Sequence, residues 1–186
     1  MHPTFPQETS FPSKILFKKN ALSDLAKEIA SFGTRGLIVH GASFEKNGLK
    51  ERISEDLKKA GIAAEFHCRP QGEPALNEIS AVIVKGRAFQ SDWITGIGGG
   101  SVLDLAKAAA GLFHAKEKPV FYQEGGTLET VGIPFIAVPT TAGSGSEASP
   151  NAVIINPEKK VKLSIRHPSF LARKVILDPD LLKGLP

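Results

Sequence analysis

An α/β fold, a parallel sheet with helices on both faces, is what this sequence predicts, and three observations predict it. Short runs such as G-L-I-V at 36–39 and W-I-T-G-I at 93–97 are apolar throughout or nearly so, the mark of strands buried on both faces. Between such runs lie stretches with apolar residues at i, i+3, i+4 and i+7, the spacing of one buried helical face. The turns that directly follow the runs are rich in glycine and hydroxyl residues, which suits the carboxyl edge of a parallel sheet that takes a ligand.

Residues 1–13 hold three prolines and little periodicity and are expected to form an extended arm. A strand candidate at 15–17 follows. Asn20 stands where it can cap a helix that carries Leu22, Leu25, Ala26 and Ile29 on one face, with Gly33 as its stop. After the strand at 36–39 comes the turn His40-Gly41-Ala42-Ser43, then a helix with Leu49, Ile53 and Leu57 on one side and Gly61 at its end. Residues 62–67 are the next strand. Gly72-Glu73-Pro74 makes a turn, with Pro74 expected at the first position of a helix striped by Leu76, Ile79, Val82 and Ile83.

The strand at 93–97, the glycine turn Gly98-Gly99-Gly100 and a helix opening at Ser101 form the centre of the chain. Ser101 and Asp104 have the S-x-x-D spacing of a capping box. Val102, Leu103, Leu105, Ala106, Ala109 and Ala110 leave that helix apolar on most sides, so it is expected to be deeply buried. Residues 114–131 are polar and give no regular element. A strand then begins near Ile133 and closes at Pro139, residues 152–155 and 161–165 flank N-P-E-K-K as a hairpin on the domain's edge, and 175–177 is one more short strand. No internal repeat and no low-complexity segment interrupts this order.

The central turn is built to seat a phosphate. The first amides of a helix have no intrahelical partner, the macrodipole makes that end electropositive, and glycines remove the side chains that would keep an anion away. A second loop, P-T-T-A-G-S-G-S-E from Pro139 onward, adds hydroxyls after another buried strand. Neither spacing is a G-x-G-x-x-G fingerprint or a Walker loop.

Together, G-G-G-S-V-L-D-L-A-K and P-T-T-A-G-S-G-S-E resemble the iron-containing (group III) alcohol dehydrogenases. The ending V-I-L-D-P-D-L-L-K-G-L-P is similar to that family's link between its nucleotide domain and its helical metal domain. The resemblance implies a Rossmann-like parallel sheet with flanking helices and a small edge β-hairpin, as in the N-terminal domain of dehydroquinate synthase. It divides the chain into an arm (1–13), a nucleotide-binding domain (14–178) and the start of a link (179–186).

It also implies coenzyme contacts. Gly99, Gly100 and Ser101 match positions at the pyrophosphate, Asp104 an acidic position towards the nicotinamide, and Thr140 and Thr141 a hydroxyl pair beside the adenosine and phosphates. Asn151 and Lys162 match further pocket positions. Glu73 stands where many relatives carry asparagine, so its carboxylate needs an outward orientation or a compensating donor. In NAD-preferring relatives an acid follows the second strand and meets the adenosine ribose. Here Gly41 and Ser43 occupy that turn, with Lys46 nearby, which resembles the NADP-preferring pattern; NAD is the alternative.

The family's reaction is hydride transfer between a nicotinamide dinucleotide and a small alcohol or aldehyde, helped by iron or zinc. The five histidines (His2, His40, His67, His114, His167) show no H-x-x-x-H pair, so no catalytic residue and no metal ligand is carried over, and this chain is expected to be half of an enzyme. A glycerol dehydrogenase-like enzyme and a stand-alone nucleotide-binding module are the competing readings. A net charge of +4 with scattered basic residues argues against nucleic acid, no apolar run reaches the ~20 residues of a membrane span, and a single cysteine suits a reducing compartment. The expected location is the cytoplasm, and a homodimer is an allowed assembly.

Overall fold

The computed structural model describes residues 10–46 and 48–183 of the 186-residue chain. The expectations for arm residues 1–9, for the Lys46 side chain and for link residues 184–186 fall outside the described residues. Among the described residues the strands are β1 (Ile15–Phe17), β2 (Arg35–His40), β3 (Ala63–Cys68), β4 (Trp93–Gly98), β5 (Phe135–Pro139), β6 (Asn151–Asn156), β7 (Val161–Arg166) and β8 (Lys174–Leu177). The α-helices among them are α1 (Leu25–Ile29), α2 (Ala42–Lys46), α3 (Leu49–Lys59), α4 (Leu76–Ala88), α5 (Gly100–Gly111) and α6 (Pro119–Gln123).

Six strands form one parallel sheet in the order β1-β8-β5-β4-β2-β3, and β6 and β7 form a separate antiparallel pair. The alternation of side chains in the buried strands assigns two cores. Leu37 and Val39 of β2, Ile94 of β4 and Phe135 and Ala137 of β5 face α4, α5 and the hairpin. Ile38, Trp93, Ile97, Ile136 and Val138 face α1 and α3 instead. The β6–β7 hairpin does not extend the sheet: it packs Ala152, Ile154 and Ile165 over α5, on the same side as α4.

Several local expectations need correction. The first helix is interrupted, with 3₁₀ turns at Ala21–Asp24 and Ala30–Phe32 on either side of α1. Asn20 has φ 54 and makes no side-chain cap. The capping oxygens come from Asp178, which accepts from the amides of Asn20 (2.9 Å) and Leu22 (3.0 Å). Pro74 is not the first residue of α4, because its carbonyl is taken by the Ile155 amide at 2.8 Å. The helix starts at Leu76, after Glu78 reaches back to the Ala75 amide at 3.1 Å. Within the polar stretch 114–131, Pro119 opens the short helix α6, whose buried Gln123 donates to the Ile154 carbonyl at 2.8 Å.

Sheet order places the functional cleft. From β2 the chain runs to the edge strand β3, then returns past β2 to form β4 on its other side. Helices α2 and α3 therefore leave β2 on one face while α5 leaves β4 on the other, and the ends of β2 and β4 open a crevice. No helix among the described residues is long and apolar enough to cross a membrane.

Candidate functional site

The crevice is a cleft of about 460 Å³ lined by Gly41 and Ser43 after β2, Arg69 and Gly72 after β3, and Gly99 and Ser101 after β4. Four of the residues singled out from the sequence thus meet in one place. Gly99 is the N-cap of α5, with extended backbone (φ −74, ψ −179), and its carbonyl accepts from the Val102 and Leu103 amides at 3.0 and 3.1 Å. The amides of Gly100 and Ser101 fall in the helix's first turn, where no intrahelical acceptor exists.

The glycines also let two loops approach. A Cβ at Gly99 would lie 3.3 Å from the Thr141 side chain, and one at Gly100 would lie 2.9 Å from the Cβ of Ser144. Thr140 is fixed by its amide, which donates to the Gly98 carbonyl at 3.0 Å. The second loop is therefore stacked on the glycine turn, Thr140 and Thr141 over Gly98 and Gly99. At Gly41 the nearest atom to a new Cβ would be a methyl of Val102 at 3.6 Å, an ordinary contact.

The expected capping box does not form. The helix begins one residue before Ser101, and Asp104 turns away from the helix start. It accepts from the Ser146 hydroxyl at 2.5 Å and from the Val153 amide at 3.0 Å, so its two oxygens clamp the second loop and β6 onto α5. Lys107, buried completely, completes the clamp: its ammonium donates to the carbonyls of Ser146 (2.6 Å) and Asn151 (2.8 Å) and lies 3.5 Å from Asp104. Burial pulls the Lys107 pKa down to about 8, opposed by the neighbouring Asp104 charge. Asn151 enters through this carbonyl at the head of β6. Lys162, on the neighbouring strand, pairs with Glu73 at 2.8 Å, which is the compensating donor that the glutamate needs.

Three groups here carry no signal in the residue pattern that marked the rest. Lys107 shows only as a lysine inside an apolar run, L-A-K-A-A-A-G. Arg69 is 4% exposed, donates to Glu78 and to the Gly72 carbonyl, and has one guanidinium nitrogen, Nη2, with no partner. His40 ends β2 with its ring against Phe44, and burial lowers its pKa.

Residues 12–179 match the family model described as iron-containing alcohol dehydrogenase. Sulfoacetaldehyde reductase of Bilophila wadsworthia is 33% identical over 175 residues, covering 93% of this chain and 45% of that protein. The crystal structure of NADH-dependent butanol dehydrogenase A from Thermotoga maritima superposes with a TM-score of 0.90 at 27% identity, over 97% of this chain and 46% of that one. A sulfoacetaldehyde reductase from Bifidobacterium kashiwanohense, solved with NAD+, gives a TM-score of 0.86 at 26% identity, over 98% and 48%. The chain spans about half the length of the relatives it matches.

Proposed function

The chain belongs to the iron-containing alcohol dehydrogenase family, and from that premise we propose that it is the coenzyme-holding part of a metal-dependent alcohol dehydrogenase or aldehyde reductase using NADP(H). The observation that carries this reading is the cleft, where the open amides at the start of α5, the Gly41–Ser43 turn and Arg69 converge. The pyrophosphate lies on the amides of Gly100 and Ser101. The adenosine end lies along Gly41 and Ser43, where the Ser43 hydroxyl and the positive charge of Arg69 in the cleft wall favour a 2′-phosphate. Thr140 and Thr141 border the phosphates from the stacked loop, and Asp104 acts by holding that loop and β6 in place. Asn151 and Lys162 stand on the hairpin side, with Lys162 exchanging Glu73 for the coenzyme.

In the whole enzyme an iron or zinc ion would polarise the substrate oxygen as a Lewis acid. The residues present do not fit that centre. Among the described residues the one grouping of three metal-capable side chains is His40, Glu45 and Cys68, and none of these lines the cleft. This domain's contribution is therefore to fix the coenzyme's orientation. The 186-residue chain alone is expected to show no metal-dependent alcohol oxidation or aldehyde reduction with iron or zinc supplied, measured as change in dihydronicotinamide absorbance. Robust turnover would mean that the catalytic groups lie within these residues.

Coenzyme choice is the finer test. A carboxylate ~4 Å from one phosphate charge costs about 1 kcal/mol in a water-like medium and about 4 at an effective dielectric near 20, roughly 5-fold to several hundred-fold. NADPH should bind more tightly than NADH, with the gap narrowing as salt rises. Gly41→Asp, whose Cβ meets only an ordinary contact with Val102, should reverse the order. A wild type that prefers NADH, or an unchanged ratio in Gly41→Asp, would remove this turn from coenzyme selection.

A further inference from the structure

We propose that His40, Glu45 and Cys68 form a zinc site at the carboxyl ends of β2 and β3, a reading independent of the coenzyme one. The parallel register pairs His40 with Cys68, so the two side chains stand next to each other on one face of the sheet. Helix α2 starts two residues after His40 and brings Glu45 back over the same spot. One donor atom from each of the three lies within 4.8 Å of the others.

His40 is the observation that points to a ligand. It is fully buried, and its Nε2 has no hydrogen-bond partner. Its Nδ1 lies 3.0 Å from the Gly41 carbonyl, which can only accept. The ring proton therefore sits on Nδ1, and Nε2 presents a bare lone pair towards Glu45 Oε1 at 4.0 Å. A backbone carbonyl on the far nitrogen is the usual way in which a metal-binding histidine is oriented. An orphaned buried nitrogen is otherwise a cost with no return.

The donor set selects the metal. One thiolate, one imidazole and one carboxylate suit zinc and exclude the oxygen-seeking magnesium and calcium. Tetrahedral zinc needs its donors about 3.3–3.8 Å apart, given bond lengths of about 2.0–2.3 Å. Closing the present spread takes about 1 Å of movement; Glu45 and Cys68 are both exposed, and Cys68 gives up only a weak contact with the Arg69 carbonyl at 3.9 Å. Lys50, now 3.1 Å from Glu45 Oε1, gives up the carboxylate and turns to solvent, while Lys85 is held by the Phe66 carbonyl and Glu65. Cys68 binds as thiolate and its proton leaves to solvent, and water takes the fourth position. Such an ion would staple α2 to β3 and stiffen the turn that carries Gly41 and Ser43.

The test uses the reduced, metal-stripped chain titrated with Zn²⁺ and, as a spectroscopic probe, Co²⁺. One equivalent should bind, with a thiolate-to-cobalt charge-transfer band and the intense visible spectrum of tetrahedral cobalt. Zinc at a hundredfold excess over Kd should raise the melting temperature by roughly 5–10 °C. Cys68→Ser and Glu45→Gln, both at exposed positions and so safe for the fold, should each weaken zinc at least about tenfold. Cys68→Ser should also abolish the charge-transfer band. No stoichiometric binding, an octahedral spectrum, or affinity unchanged in Cys68→Ser would each overturn the proposal.

Discussion

Lys107→Met should lower the melting temperature by about 10 °C. Methionine keeps the length and apolar bulk of the side chain but leaves the Ser146 and Asn151 carbonyls without their donor and the Asp104 carboxylate without its counter-charge. Breaking one side of a buried, hydrogen-bonded ion pair costs about 3–5 kcal/mol, and each kcal/mol moves a domain of this size by roughly 2–4 °C. The double variant with Asp104→Asn should recover part of the loss, because the uncompensated charge is gone. A thermal shift under about 2 °C would deny Lys107 this role.

The same lysine sets a pH signature. Its folded pKa is about 8 against an ordinary lysine value of 10.5, so between those values the unfolded chain binds more protons and stability rises with pH. The contribution is complete above pH 10.5 and is lost as pH falls through 8, with a ceiling of about 3 kcal/mol. The difference between wild type and Lys107→Met in denaturant titrations across pH 7.5–10.5 isolates it from other groups. A flat difference would contradict the burial argument.

Gly99→Val should weaken coenzyme binding at least about 100-fold. The new Cβ meets the Thr141 side chain at 3.3 Å, and the two methyl groups beyond it occupy the approach to the amides of Gly100 and Ser101. Thr141 is only partly buried and can give way, so the thermal cost should stay within a few degrees. Gly99→Ala should fall between, at roughly tenfold. Trp93, the single tryptophan, is fully buried at the far end of β4, five residues or about 16 Å before Gly98. Its emission should fall on NADPH addition through energy transfer to the dihydronicotinamide, not through contact. Equal affinity in wild type and Gly99→Val would take the turn out of the site.

What could be read in the residues followed their periodicity. The apolar strands, the stripe of α4 and the all-round apolar α5 were legible because burial on a sheet dictates those patterns. The Ser101–Asp104 box was misread because its spacing is satisfied locally, while the Ser146 hydroxyl and the Val153 amide, more than 40 positions away, win the carboxylate. Helix α6 spans five residues, too few to show a stripe. Arg69 sits in C-R-P-Q-G, where no period exists to mark it. His40 and Cys68 become neighbours solely through parallel pairing, which a crossover connection conceals.

The sheet's far edge has a bearing on how the protein is made. Among the described residues strand β1 hydrogen-bonds to β8 alone, with Ile15 opposite Val175, and the Asp178 carboxylate holds the amides of Asn20 and Leu22. Within this domain β1 is therefore synthesised well before the strand it pairs with. At about 5–20 residues per second, the roughly 160 intervening positions take roughly 8–30 s to synthesise. Throughout that interval the β1 backbone lacks the β8 partner it has in the fold. Closure of this edge is the highest-contact-order step in the domain, so it should be the slow phase of refolding and the stage most exposed to aggregation.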